Sequence, residues 1–290
     1  MENRGQYKKN ISNQQIKQMR MVRRREVFFS RVRALFNFVF VLFLIFALFK
    51  AVTMSQWYLN KDVFKKANTR YLKIYGNNIT PDYQILNSLR FIQLPHKPVY
   101  LLKTKQLKEQ LLKLSPVNEV HILRYWFPAR LEIIVEERTP VLTIAPSEKV
   151  QPIAFFTQDG KLIGREYLPL PNGIKTYKIL SYGTKGDDYR KWDTKKISEL
   201  ETLGRTIENY SKEPVEYIDL RNPKDVYVKI KSNFLRIGEL NDTTLERVKY
   251  IHSILPEAKT LENKIKYIDL RWEEAYYIKL EGDVDIENEE

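Results

Sequence analysis

Three histidines, His96, His121 and His252, are the side chains in this 290-residue chain best suited to carry a proton near neutral pH or to ligate a metal. No two of them lie three or four residues apart, so no single helix turn brings a pair to one face as a zinc-hydrolase site requires. His252 falls beside the apolar face of a helical segment and reads as a partly buried structural histidine. There is no cysteine, which removes disulfides, zinc–thiolate centres and thiol nucleophiles. Glu136 and Glu137 are adjacent acids in an alternating segment, where neighbours point to opposite faces and do not converge as an acid/base pair. No glycine-rich phosphate loop, dinucleotide fingerprint or nucleophile elbow occurs. The expectation is a protein with no catalytic residue, no metal and no cofactor, hence one that acts through surfaces rather than by reaction.

The residues best suited to binding lie near the end of the chain. Ala275, Tyr276, Tyr277, Ile278, Lys279 and Leu280 form an alternating run followed only by Glu281–Glu290, which holds six acids and no base. A last strand at a sheet edge offers backbone N–H and C=O groups to an incoming chain. Tyr276, Ile278 and Leu280 are expected on one face, Tyr277 and Lys279 on the other, with Trp272 just upstream as an aromatic anchor. The plain alternative is that these tyrosines are ordinary strand formers packed on a core.

Such a strand needs a scaffold, and the chain divides into distinct stretches. Residues 1–33 carry ten Lys/Arg against Glu2 and Glu26. An uncharged apolar run follows from Ala34 to Phe49, and residues 34–55 are long enough to cross a bilayer if Lys50 extends its ammonium toward the headgroups. Trp57 and Tyr58 then fall where interfacial aromatics gather. A cleaved signal peptide is the rival reading, but the apolar run is too long for one and no small-x-small cleavage site follows. The charge asymmetry leaves residues 1–33 in the cytoplasm and sends the rest across. The net charge of +13 is concentrated in this tail, which has no recognisable nucleic-acid-binding fold and reads as a topology signal rather than a nucleic-acid site.

After a linker at 56–70, residues 71–141 read as strand, helix, helix, strand, strand. Tyr71–Tyr75 alternates and stops at Gly76–Asn77, Thr80 offers an N-cap with Pro81 at the first helical position, and Leu107, Leu111 and Leu114 mark a second helix over 104–114. Val117–Tyr125 is extended, Phe127–Pro128 turns, and Leu131, Ile133 and Val135 alternate toward Glu137–Arg138–Thr139–Pro140. Residues 142–280 hold a hairpin signal at Asp159–Gly160, a helix over 194–209 capped by Asp193 or Thr194, and a second helix over 243–255. Val215–Glu–Tyr–Ile–Asp–Leu–Arg221 recurs as Ile265–Lys–Tyr–Ile–Asp–Leu–Arg271, each copy after a helix and before another strand. Asp219 and Asp269 fall at equivalent strand ends and suit a structural hydrogen-bonding role. The acidic residues 281–290 are expected to be disordered.

The run from Ser115 through Arg124, Pro128, Leu131, Glu137 and Arg138 to Pro140–Val141 resembles the POTRA-domain signature of the bacterial division proteins FtsQ and DivIB, as does Gly76–Asn77 after the first strand. It departs from that pattern at His121 and at Asn118–Glu119–Val120. The Leu235–Leu240 segment and the closing Tyr–Ile–Asp–Leu–Arg strand resemble the β domain of the same family. The resemblance implies an α+β fold: a single transmembrane helix, a small POTRA (β-α-α-β-β) domain, and a larger, mostly antiparallel β domain with helices on one face. It also implies a non-enzymatic division scaffold in the cell membrane at the septum. Its partners would be division membrane proteins of the FtsB/DivIC and FtsL type, with Arg271 and Trp272 at the Arg-aromatic step before the binding strand. Lys103, Lys105 and Lys108 fall on the POTRA module, which in the family recruits other division proteins. A POTRA-bearing secretion or envelope-assembly factor that binds extended polypeptides is the alternative, and an anchored envelope enzyme a third.

Overall fold

The computed structural model describes residues 13–183, 188–261, 265–272 and 275–281. The acidic stretch expected to be disordered at 281–290 lies, beyond Glu281, outside the described residues, as do residues 1–12 of the basic tail. One helix, α1 (Asn13–Thr53), carries both the basic segment and the apolar run without a break. By length and composition α1 can cross a membrane, and none of its apolar window is buried by the protein.

The first module is a three-stranded sheet under two short helices. Strand β1 (Leu72–Tyr75) runs parallel to β3 (Ala129–Glu137), which pairs antiparallel with β2 (Val117–Trp126), in the order β1-β3-β2. Helices α2 (Asp82–Leu89) and α3 (Lys105–Leu111) cover one face. Ile85, Leu89, Leu107 and Leu111 are fully buried against Leu72, Leu131 and Ile133. Each such side chain contributes about 1.5–3 kcal/mol by leaving water, which lets so small a module hold together. Val63 and Phe64 join this core, so the stretch following α1 packs on the module. Helix α2 starts one residue later than its sequence signals indicate. Pro81 takes the N-cap position, and the Asn77 side chain reaches the Asp82 carboxylate at 2.7 Å. Gly76 is required where β1 ends: its φ is +80°, and a Cβ there would lie 2.2 Å from the Val135 carbonyl oxygen.

The second module is one nine-stranded sheet. Its strands are β4 (Pro140–Ala145), β5 (Ala154–Thr157), β6 (Leu162–Gly164), β7 (Tyr177–Leu180), β8 (Val215–Asp219), β9 (Val226–Ile230), β10 (Phe234–Gly238), β11 (Ile265–Asp269) and β12 (Tyr277–Leu280), in the order β12-β11-β10-β9-β8-β7-β4-β5-β6. Five of the eight pairings are antiparallel, and β4–β7, β7–β8 and β10–β11 are parallel. Helices α4 (Thr194–Ser211), α5 (Thr244–Lys249) and α6 (Ile251–Thr260) share one core with the sheet, built on Leu200, Leu203, Ile207, Val248 and Ile254 against Leu142, Ile218, Val228 and Ile268. Asp193 caps α4, accepting from the Lys196 N–H at 2.8 Å. The helix read at 243–255 is two helices that meet at Tyr250, and α6 continues through Pro256 to Thr260. One proline removes a single backbone bond, and the buried Ile251, Ile254, Leu255 and Ala258 hold the helix across it.

The two sheets are joined without a spacer. Glu137 ends β3 and accepts from the backbone N–H groups of Ile79 and Thr80 at 2.7 and 2.6 Å. Arg138 pairs with Asp159 across the β5–β6 turn, and Ile79 packs with Phe155, Ile163 and Tyr167 of the second module. The Glu–Arg–x–Pro run is therefore a clasp: one residue ties back into the first module, the next reaches into the second, and Pro140 opens the new strand.

Two outcomes follow from this packing. Glu137→Ala leaves two inward N–H donors unpaired and should lower the unfolding free energy of the full chain by about 2 kcal/mol, with Glu137→Gln losing less, as read by denaturant titration. The second concerns Glu208. Burial alone would raise its pKa, but bonds from Lys175, the Val215 N–H and the Tyr177 hydroxyl outweigh it and hold the carboxyl below its ordinary value. A pKa depressed on folding stabilises above the unfolded value and is lost as pH falls through the folded one. Stability should therefore fall more steeply below about pH 4.5 in the native chain than in Glu208→Gln.

Candidate functional site

The last two strands are best understood through the hairpin they repeat. In β8–β9, Val215 faces Ile230, Tyr217 faces Lys229, Ile218 faces Val228 and Asp219 faces Tyr227. In β11–β12, Ile265 faces Leu280, Tyr267 faces Lys279, Ile268 faces Ile278 and Asp269 faces Tyr277. Every pair is its counterpart moved on by fifty residues, and the same register break recurs after Val215 and after Ile265. Upstream, Ile179 and Leu180 of β7 lie parallel to Ile218 and Asp219, as Leu235 and Arg236 of β10 lie parallel to Ile268 and Asp269. The unit is thus a strand, a helical crossover, a parallel strand and an antiparallel return.

The copies differ at one edge. The far side of β9 is filled by β10, antiparallel, with Phe234 opposite Lys229, Leu235 opposite Val228 and Arg236 opposite Tyr227. The equivalent side of β12 ends the sheet, and among the described residues no strand lies against it. Arg236 shows how the filled edge is locked. Its guanidinium pairs with Asp225 at 2.8–3.2 Å and lies over the rings of Tyr227 and Tyr267, 5.7 and 5.6 Å from their centroids. Bonding to Asp225 raises the Arg236 pKa further, while burial followed by the Asp225 charge pushes Tyr227 up to about 12. In the second copy Ala275 stands where Asp225 does, and Tyr277 is 60% exposed where Tyr227 is covered.

The residues singled out from the sequence fall into three groups. Arg271 is held by Asp269, with guanidinium–carboxylate distances of 2.9–3.0 Å, and lies 5.9 Å from the Trp272 ring centroid. Asp219 and Arg221 form the same pair in the first copy, so both aspartates serve as strand-end hydrogen-bond acceptors. Trp272 is exposed. Ala275 and Tyr276 precede β12 instead of lying in it, so the ladder expected over 275–280 covers Tyr277–Leu280 alone. The cause is visible in the contacts: pairing with β11 stops at Asp269, and the Tyr276 hydroxyl is drawn to Glu257 of α6 at 2.6 Å. That bond raises the Tyr276 pKa. Ile278 packs against the main core, while Lys279 and Leu280 are half-buried.

One contributor escaped the sequence reading. Arg247 of α5 is buried and donates to the carbonyls of Ile237, Leu270 and Arg271 at 3.2, 3.0 and 2.8 Å, and to Asn241 and Thr244 side chains at 3.1 Å. It fixes the ends of β10 and β11 and with them the step into Trp272. In the sequence it is one more arginine on a helix, with no periodic signal to set it apart. Gly238 completes this corner with φ +76°, where a Cβ would meet the Arg271 side chain at 2.9 Å.

The histidines do not converge. His96 stacks on Tyr58 at 4.7 Å, and His252 is exposed, its Nδ1 2.8 Å from the Lys249 carbonyl. The break at Tyr250 turns His252 outward, which corrects its reading as partly buried. His121 lies 3.6 and 3.5 Å from Glu119 and Glu136, and Lys108 reaches Glu119 at 3.5 Å. These half-exposed groups form a surface ion-pair cluster, the one convergence of potential metal ligands among the described residues. A surface cleft of about 660 Å³ beside β4 has Arg165 as its only charged lining residue.

A membrane-compatible helix, a helix-covered three-stranded module and a larger mixed sheet define an α+β protein of the POTRA-bearing class. The module is a POTRA domain of the FtsQ type, matched by that family model over residues 67–138, consistent with the FtsQ/DivIB family. No curated protein matches the chain.

Replacing Arg247 with Leu removes its bonds to the Ile237, Leu270 and Arg271 carbonyls and to Asn241 and Thr244, and should destabilise the full chain by about 3 kcal/mol in denaturant titration, far more than Arg205→Leu on exposed α4 surface.

Proposed function

We propose that this protein is a non-enzymatic scaffold of bacterial cell division, anchored by α1 with its N-terminus in the cytoplasm and its two modules outside. On this reading it sits at the septum and links other division membrane proteins to septal wall synthesis. Its partner is a membrane protein of the FtsB/DivIC type, acting with one of the FtsL type, which adds a strand to β12. The observation that carries the reading is the fifty-residue repeat: the first copy has β10 on its outer edge and the second ends at β12.

The filled copy also supplies the geometry of the empty one. A partner strand that follows β10 runs antiparallel to β12, with one residue opposite Lys279, the next opposite Ile278 and the next opposite Tyr277. Trp272, exposed beside the Arg271–Asp269 pair, and Tyr277 give aromatic surface at the strand's start. Lys279 and Leu280 continue the ladder, and Ala275 and Tyr276 line the approach. Backbone pairing supplies affinity, and the residue facing Tyr277 contributes selectivity.

Imaging a fluorescent fusion to the N-terminus in the native bacterium tests the cellular role. A band at the division plane, with undivided filaments on depletion, is expected; uniform membrane signal and normal division contradict it. A photoreactive residue at position 277 should crosslink the partner, and one at Leu162 on the opposite sheet edge should not. Tyr277→Ala should weaken partner binding about tenfold, the loss typical of one interface aromatic.

A further inference from the structure

The tip of the first module carries an aromatic cluster that the strand-addition reading leaves unused. Helix α1 ends at Thr53, and Trp57 folds back so that its indole N–H donates to the Ala51 carbonyl at 2.6 Å. Its ring meets Phe127 at the β2–β3 turn, 5.2 Å between centroids. Trp126, the last residue of β2, packs on Tyr100 with 5.8 Å between centroids. The 3-10 turn Val99–Leu101 is pinned to β2 by Arg124, which donates to the Tyr100 and Leu102 carbonyls at 3.1 and 2.8 Å. Phe127, Trp126 and Leu101 are nonetheless 55%, 62% and 56% exposed.

Burial does not account for these rings, because the module's core is complete behind them. Their position does. Lys50 lies in the last turn of α1, and Trp57 is bonded to that same turn. Phe127 therefore stands one ring's width from the point where α1 leaves its apolar run. Tyrosine and tryptophan at such a depth are the side chains that settle among lipid headgroups, with an apolar body and a polar tip. Tyr58 strengthens the connection, stacking on His96 and bridging to Pro98, so the module is held against the end of the helix.

We propose that Tyr100, Leu101, Trp126 and Phe127, with Trp57, form an aromatic foot that inserts into the lipid headgroup region beside α1. The POTRA module then lies on the extracytoplasmic surface of the bilayer with the β2–β3 turn down. The foot sets the orientation of the whole extracytoplasmic part, since the clasp at Glu137–Arg138 joins the second sheet to the first. The inference rests on α1 crossing the membrane and is independent of strand addition at β12.

The chain has four tryptophans and no cysteine, which makes a fluorescence test direct. The full chain is placed in phosphatidylcholine/phosphatidylglycerol nanodiscs, with or without bromine on the upper acyl carbons. One form keeps Trp126 alone, with the other three tryptophans changed to Phe; a second keeps Trp57 alone. Loss of Trp126 emission with brominated lipid, comparable to the loss for Trp57, is the expected result. Leu101→Ser with Phe127→Ser should then reverse most of the Trp126 loss. Quenching of Trp57 but not Trp126, with Trp126 open to aqueous acrylamide, overturns the foot and leaves the anchor standing. Failure of lipid to quench either residue overturns the foot together with the spanning reading. Protection of Trp126 from lipid and acrylamide alike means a second protein surface covers it, and overturns the lipid assignment.

Discussion

A β-strand has two sides, and its backbone N–H and C=O groups require partners on both or exposure to water on one. The second module is organised around that requirement. Each copy of its repeat begins with a strand, crosses over through helix, and returns as a hairpin whose outer side must be occupied by what comes next. After the first copy, what comes next is β10, and Arg236 secures it through Asp225 and two tyrosine rings. After the second copy no further strand follows among the described residues. The open edge is thus the place where a repeating architecture stops, with the same register and the same aspartate–arginine strand end as the occupied one.

The surroundings of β12 are tied down by side-chain bonds and core packing. Arg247 binds the ends of β10 and β11 from beneath, and Asp269 holds Arg271, so Trp272 leaves the sheet from a fixed point. Tyr276 is tied to α6, and Ile278 sits on the core. An edge tied in this way would lose less entropy on the proposed strand addition than a mobile tail would. At the other end of the molecule, the Trp57–Phe127 contact and the Glu137–Arg138 clasp pass the direction of α1 through the POTRA module to the sheet. The membrane-compatible helix and the β12 edge are therefore connected by packed contacts.

Much of this was legible in the residues. The apolar run of α1, the alternation in β3, the Asp159–Gly160 hairpin and the repeated Tyr–Ile–Asp–Leu–Arg all carry local signals, because periodicity and turn chemistry act over a few residues. The Glu–Arg–x–Pro run was visible as a motif, but its work as a clasp depends on Ile79 and Asp159, distant in sequence. The parallel pairings β7–β8 and β10–β11 were likewise hidden, since crossover partners are chosen by the completed core. Alternation continues through Ala275 and Tyr276 and so predicts a strand two residues longer at its start, while the ladder is limited by where β11 turns away. The exposure of His252 and the α5–α6 break leave no local signal for a related reason: a helical stripe does not reveal where the axis bends.

The most direct test of the account is hydrogen exchange on the full chain in nanodiscs, with and without the extracytoplasmic segment of an FtsB/DivIC-type partner. The account predicts that the outward-pointing amides of β12, those not bonded to β11, exchange quickly alone and become protected on binding, while the opposite edge, Leu162–Gly164, is unchanged. Protection that appears at β6 or on the POTRA strand β2, with β12 unaffected, would contradict it.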